Sequence, residues 1–147
     1  MISSRLYFAY ADNMDEETVR RICPGVSFEG IAELKGYRLT FNSWGKITLI
    51  KDESDSAWGV VWCLSTRDIH FLDNKERENL GSFEKIMVNV NLSDGRETSA
   101  FLYITTVGND PLYNPNLLEQ VIELAHYWAL PANYIQYLKS IQKKSPE

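Results

Sequence analysis

The chain has 147 residues, 44% of them hydrophobic, 24% charged and 12% aromatic; that is the length of one domain with a single core, and it excludes a disordered chain. A formal net charge of −5 with a pI near 5.1 argues against a broad nucleic-acid face, because phosphate binding draws on clustered Lys and Arg. Two cysteines, Cys23 and Cys63, are too few for a disulfide framework or a zinc quartet, "MISSRLYF" lacks the apolar core of a signal peptide, and no stretch approaches a membrane span, so the expectation is a single cytoplasmic domain over residues 1–147 with reduced thiols.

Arg5 to Tyr10 reads as a short strand that stops abruptly at Ala11-Asp12-Asn13. Asn13 or Asp15 then caps a helix with Glu16 and Glu17 in its first turn and Arg20 and Arg21 in its last, ended by Pro24-Gly25. "VSFEGIAELKGYRLTF", Val26 to Phe41, alternates apolar and polar residues with glycines at 30 and 36, the pattern of a long strand bent by bulges. "KITLIK" and "AWGVVWCL" predict two further strands with "DESDS" as the turn between them; the second is almost continuously apolar, as expected of a strand buried on both faces. "STRDIHFLDNKERENLGSF" changes to a helical period, with Ser65 or Thr66 as cap and Gly81 closing either the helix or the loop that follows it. "FEKIMVNVNL" and "ETSAFLYIT" form a hairpin around "SDGR". Helices over Leu117 to Ala129 and Tyr134 to Ile141, separated by Pro131, complete the chain. The fold class is α+β: a small mixed, curved β-sheet or barrel of about six strands with flanking helices.

The strand-to-helix junction at Ala11-Asp12-Asn13 is the first place to look for chemistry. The leading N–H groups of a helix have no partner within it, so such a turn can hold an anion, although a short βα connection needs no function to exist. No G-x-S-x-G turn is present for a Ser-His-Asp arrangement. His70, Asp73 and Glu76 share a helical face at metal-compatible spacing, but His126 is remote in sequence and no second carboxylate cluster completes a site, so a solvated helix surface is the stronger reading and no metal is expected. Glu76 alone, within Lys75-Glu76-Arg77-Glu78, looks like a charged helix end. Tyr7, Tyr10, Tyr37, Trp44, Trp58, Trp62 and Tyr103 are expected to be mostly core, with some free to line a pocket, and Cys63 reads as core because nothing near it in sequence would lower its pKa.

Taken in order, three blocks resemble the γ-glutamylcyclotransferase family. Phe8-Ala9-Tyr10-Ala11-Asp12-Asn13-Met14 is similar to the family's F-A-Y-G-S-N-(M/L) turn. Ala57-Trp58-Gly59-Val60-Val61-Trp62, followed by Leu72-Asp73-Asn74-Lys75-Glu76, resembles its V-W-G-V-V-W strand and L-D-x-x-E helix. "SAFLYIT" and "LPANYIQYL" resemble its closing elements, so the likeness spans nearly the whole chain. It implies a small mixed barrel with flanking helices and a cofactor-independent release of 5-oxoproline from a γ-glutamyl amide, the substrate's own α-amine attacking the γ-carbonyl. By position it implies Glu76 as general acid/base, and Tyr10, Ala11, Asp12 and Asn13 as the substrate-holding turn, with Tyr7 and Tyr103 beside them. An acid/base glutamate working near neutrality needs a pKa raised by burial, so Glu76 is expected to be less exposed than its neighbours suggest.

The chain departs from the family where Ala11-Asp12 replaces Gly-Ser and where Arg77 follows the glutamate in place of a frequent glycine. A carboxylate at position 12 would repel a substrate carboxylate unless it points away or is paired. The extended glutamate signature of the glutathione-specific branch is absent, so the amine released is expected to come from an amino acid, an isopeptide or an amino-bearing natural product. The partner implied is thus a small γ-glutamyl substrate, with no nucleic acid and no membrane, and a homodimer is compatible with the sequence. The alternative, motivated by Asp12, is a non-catalytic small-ligand-binding or interaction domain on the same fold.

Overall fold

The computed structural model describes residues 4–144; Met1 to Ser3, part of the stretch read above for a leader, lie outside it. Five strands close into a barrel in the order β1-β3-β2-β4-β5. Strand β1 (Ser4–Ala9) runs antiparallel to β3 (Ile47–Ser65) from Ser4↔Ser65 to Ala9↔Val60, and meets β5 (Glu97–Ile104) in parallel at Tyr7↔Phe101. β2 (Ser27–Phe41) pairs with β3 and, through Ala32 and Glu33, with β4 (Glu84–Leu92), which forms the expected hairpin with β5. The hydrophobic core, on both faces of the sheet, includes Trp62, Phe8, Phe101, Leu34, Leu64 and Leu102, all fully or almost fully buried. Among the described residues no helix is long and apolar enough to cross a membrane.

The expected turn "DESDS" lies inside one strand rather than between two. Lys35 pairs with Ser56 and Tyr37 with Lys51, so residues Asp52 to Asp55 bulge out opposite Gly36, which takes φ +86°. The acidic side chains collect the backbone donors the bulge releases: Asp52 Oδ1 accepts from the Ser54 N–H and Asp55 Oδ1 from the Ser56 N–H. The two apolar runs therefore act as one strand with a kink, which is how a long strand bends around a small barrel. The shift at Phe28/Gly30 is a second such irregularity, as the glycine-punctuated sequence of β2 suggested.

Helix α1 (Glu16–Ile22) is capped by Asp15, whose carboxylate accepts from the Thr18 N–H, and α2 (Thr66–Leu80) by Ser65, which accepts from the Asp68 N–H. α2 buries Asp68, Ile69, Leu72 and Glu76. α3 (Pro115–Tyr127) starts at the Asn114 cap and buries Leu118, Val121, Ile122 and Ala125, an apolar stripe at helical spacing; α4 (Ala132–Lys144) follows Pro131. Gly59 is demanded by the close approach of β3 to β1: a Cβ there would lie 2.2 Å from the Ala9 carbonyl oxygen. That contact fixes the end of β1 immediately before the Tyr10–Asn13 turn.

Candidate active site

At the end of β1 the chain passes through Tyr10 and Ala11 into a single 3-10 turn, Asp12–Met14. The protein ties down the four carbonyls from Ala11 to Met14. Ala11 O accepts from the Met14 N–H (3.1 Å) and Asp12 O from the Asp15 N–H (3.0 Å). Asn13 O accepts from the Trp62 indole (2.9 Å) and Met14 O from the Trp128 indole (2.8 Å). Two indole donors, one from the barrel and one from the end of α3, thus hold the turn from behind, while the first N–H groups of the turn have no partner within it.

The turn forms one wall of a cavity of about 410 Å³. Tyr7, Tyr10, Ala11, Asp12, Asn13, Glu76 and Tyr103 all line it, so the structure brings together every residue that the resemblance marked as a site position. The rest of the wall is mainly polar, with Lys46, Asn79, Asn114, Asn116 and Gln120. Arg77 faces away: it donates to Asn74 and lies over the Phe83 ring. Trp44, one of the aromatics considered above, is exposed, and Trp62 is core.

Glu76 reaches the cavity from α2, and its burial follows from helical spacing. It lies four residues after Leu72 and seven after Ile69, on the stripe that packs inward, and only 5% of it is exposed. Its Oε1 accepts from Asn13 Nδ2 at 2.7 Å, and the same amide donates to the Tyr7 hydroxyl at 3.0 Å. Burial raises the Glu76 pKa above the ordinary glutamate value and the Asp12 carboxylate adds to the rise, while Lys75 and the Asn13 hydrogen bond partly offset it. The Lys75 ammonium is 3.8 Å from Oε1, a charge contact beyond hydrogen-bond reach.

Burial also raises the phenol pKa values of Tyr7, Tyr10 and Tyr103, with the Glu76 charge contributing to each, so all three stay neutral donors near pH 7. The Tyr10 hydroxyl donates to the Tyr103 carbonyl, and the Tyr103 hydroxyl to Asp73 Oδ1 at 2.5 Å. The aromatic wall is rigid: Tyr7 stacks on Phe101 and meets Tyr103 edge-on.

Asp12, the departure that raised the problem of substrate repulsion, is paired. Its Oδ2 lies 3.4 Å from Lys75 Nζ, which also donates to Asn13 Oδ1 at 2.8 Å. Lys75 was missed in the sequence, where it reads as one more charge on a helix end. No metal-holding cluster of His, Cys, Asp or Glu occurs among the described residues; His70 is exposed, and Asp73 is occupied by Tyr103 and Lys85. Cys23 is buried, donates to the Asp68 carbonyl and has its thiol pushed up to about 12 by burial, which makes it a poor nucleophile.

Known proteins share this arrangement of fold and sequence. Residues 56–138 match the model of the AIG2-like family. The human γ-glutamylcyclotransferase is 30% identical over 95% of this chain and 79% of its own length. A solved structure of a γ-glutamyl cyclotransferase superposes with a TM-score of 0.83 at 28% identity, covering 94% of this chain and 88% of the other. YkqA from Bacillus subtilis shares the fold, with a TM-score of 0.81 at 19% identity over 99% of this chain and 56% of its own. The barrel, the turn and the glutamate on α2 therefore sit in a chain that belongs to the AIG2-like, γ-glutamylcyclotransferase family, and it is an enzyme of that class.

Proposed function

We propose that this enzyme releases 5-oxoproline and a free amine from a γ-glutamyl amide, with Glu76 as the only proton shuttle. The observation that carries the proposal is a buried carboxyl of raised pKa in the same cavity as the Tyr10–Asn13 turn. The ionised carboxylate takes a proton from the substrate's α-ammonium, and the freed nitrogen attacks the γ-carbonyl carbon. That proton passes to the leaving nitrogen as its bond to the carbon breaks. The regenerated carboxylate takes the second proton from the ring nitrogen, which becomes the lactam N–H, and hands it to the departing amine, which leaves as an ammonium. Atoms balance with no water consumed and no covalent enzyme intermediate.

Ring closure is intramolecular, so a pocket that holds the glutamyl chain folded gains acceleration from proximity and orientation. One carboxyl then suffices for both proton transfers, provided its pKa lies closer to neutrality than that of a free glutamate. Neutral donors serve the developing oxyanion and the substrate carboxylate: the free N–H groups of the turn and the Tyr7 hydroxyl, which accepts from Asn13 and keeps its own hydrogen to give. The amide-lined outer wall suits a polar leaving amine.

The test is incubation with a panel of γ-glutamyl amino acids, isopeptides and γ-glutamyl-protected amines, followed by assay of 5-oxoproline. Release from at least one compound is expected. Thermal protection by some compounds with release from none would favour the ligand-binding alternative.

A further inference from the structure

Lys75 stands beside Glu76 on α2 but does not line the cavity, and its side chain is about a quarter exposed. Its ammonium has three oxygen neighbours, Asn13 Oδ1 at 2.8 Å, Asp12 Oδ2 at 3.4 Å and Glu76 Oε1 at 3.8 Å, and all three belong to residues that do line it. An ammonium has donors only, so it fixes which way the Asn13 amide faces. With Oδ1 toward Lys75, both N–H bonds of Nδ2 are spent, one on Glu76 Oε1 and one on the Tyr7 hydroxyl. The reversed amide would set its nitrogen against the ammonium and its oxygen against the carboxylate. Because Oε1 is engaged by Asn13, the proton that Glu76 carries belongs on Oε2.

We propose that Lys75 is the positioning residue of this cavity: it neutralises the Asp12 carboxylate in the cavity wall and locks the Asn13 amide in the orientation that leaves Glu76 Oε2 free for the substrate's nitrogen. This inference rests on the cyclotransferase reading of the cavity. It makes Asp12 and Lys75 a matched pair, in which the lysine removes the repulsion that an unpaired carboxylate would direct at the substrate's α-carboxylate. Lys75 acts through its neighbours and touches no reacting atom.

The groups facing Glu76 define what the pair controls. They are Tyr7 of β1, Tyr10 at its end, Tyr103 of β5, Asp12 of the turn and Lys75 of its own helix, with Lys46 on the cavity wall where its ammonium approaches Asn79 Oδ1 at 3.4 Å. From α3 and its cap the wall receives Asn114, Asn116, Leu117 and Gln120, none of which titrates. The three phenols are held neutral, so Lys75 and Asp12 are the opposed charges that bias Glu76.

The test uses the full chain with Lys75→Gln, Lys75→Arg, Asp12→Ser and the double variant Asp12→Ser/Lys75→Gln, read in two ways. Carbon-13 NMR of labelled glutamate carboxyls follows the Glu76 titration without any substrate, the signal being assigned by its loss in Glu76→Gln. Lys75→Gln should raise the Glu76 midpoint by about one pH unit, Asp12→Ser should lower it, and Lys75→Arg should leave it near wild type. With a γ-glutamyl amine that turns over, Lys75→Gln should raise KM about tenfold, and the double variant should recover most of that loss. An unmoved midpoint in Lys75→Gln, or a KM defect that Asp12→Ser does not relieve, overturns the assignment. If the wild type releases no 5-oxoproline, the cyclotransferase reading fails, while the titration alone still decides the role of Lys75.

Discussion

Two carboxylates one helical turn apart on α2 live in opposite surroundings. Asp73 is partly exposed and fully engaged: Lys85 reaches it at 2.8 Å and the Tyr103 hydroxyl at 2.5 Å. Glu76 is buried, its hydrogen bond comes from an uncharged amide, and its nearest cation stands off at 3.8 Å. A carboxylate that is paired and wet is a structural brace. One that is desolvated, incompletely paired and open to a cavity can gain and lose a proton, and three residues of helix suffice to pass from the first environment to the second.

Substitutions on each side can sharpen or erase this contrast. Of the changes that leave Glu76 in place, Asn13→Ala should do most. It strips a buried carboxyl of its hydrogen bond and frees Lys75, so a stability loss of about 1–3 kcal/mol is expected in denaturant titration, with kcat/KM falling roughly tenfold or more because Glu76 is no longer oriented. On the Asp73 side, Tyr103→Phe removes one hydroxyl bond and should lower stability by about 1 kcal/mol, measured the same way. If Tyr103→Phe proves as damaging to stability as Asn13→Ala, the two environments are not as different as their burial implies.

The smallest effect tests the sign of the Glu76 shift. Its folded pKa is raised, so between the unfolded and folded values the native state binds more protons than the unfolded one. The stability that neutral Glu76 provides is therefore complete below the ordinary glutamate pKa of about 4.3 and is lost as pH rises through the raised folded value. Glu76→Gln stays neutral throughout. Its melting temperature should match that of the wild type in acid and exceed it increasingly as pH climbs; a constant gap across pH would mean that Glu76 is not shifted upward.

Much of this was legible in the letters. The side-chain caps that open α1 and α2, the hairpin of β4 and β5 and the buried stripe of α3 follow from local patterns that packing then reinforced. The residues "DESDS" misled because a polar, turn-forming cluster can be absorbed as a bulge when the apolar runs on either side share one partner strand, here β2. Glu76 hid among charges, yet its spacing from Ile69 and Leu72 marked it as inward-facing, so the signal was present in the helical period. Lys75 offered no such signal. Its role depends on a turn more than sixty residues earlier in the chain, and only the folded structure brings Asp12 and Asn13 to it. The Asp12 departure, which from sequence alone threatened the substrate, is balanced by that same lysine.

The most direct measurement is 5-oxoproline release from a γ-glutamyl amine that turns over, assayed side by side for wild type, Asp73→Asn and Glu76→Gln after circular dichroism has established that all three fold. Asp73→Asn, which still accepts from Tyr103, should form product, whereas Glu76→Gln should lose about a thousandfold or more of the rate, the scale of general acid–base catalysis by a positioned group. Near-normal product formation by folded Glu76→Gln would contradict the assignment of Glu76 as the proton shuttle.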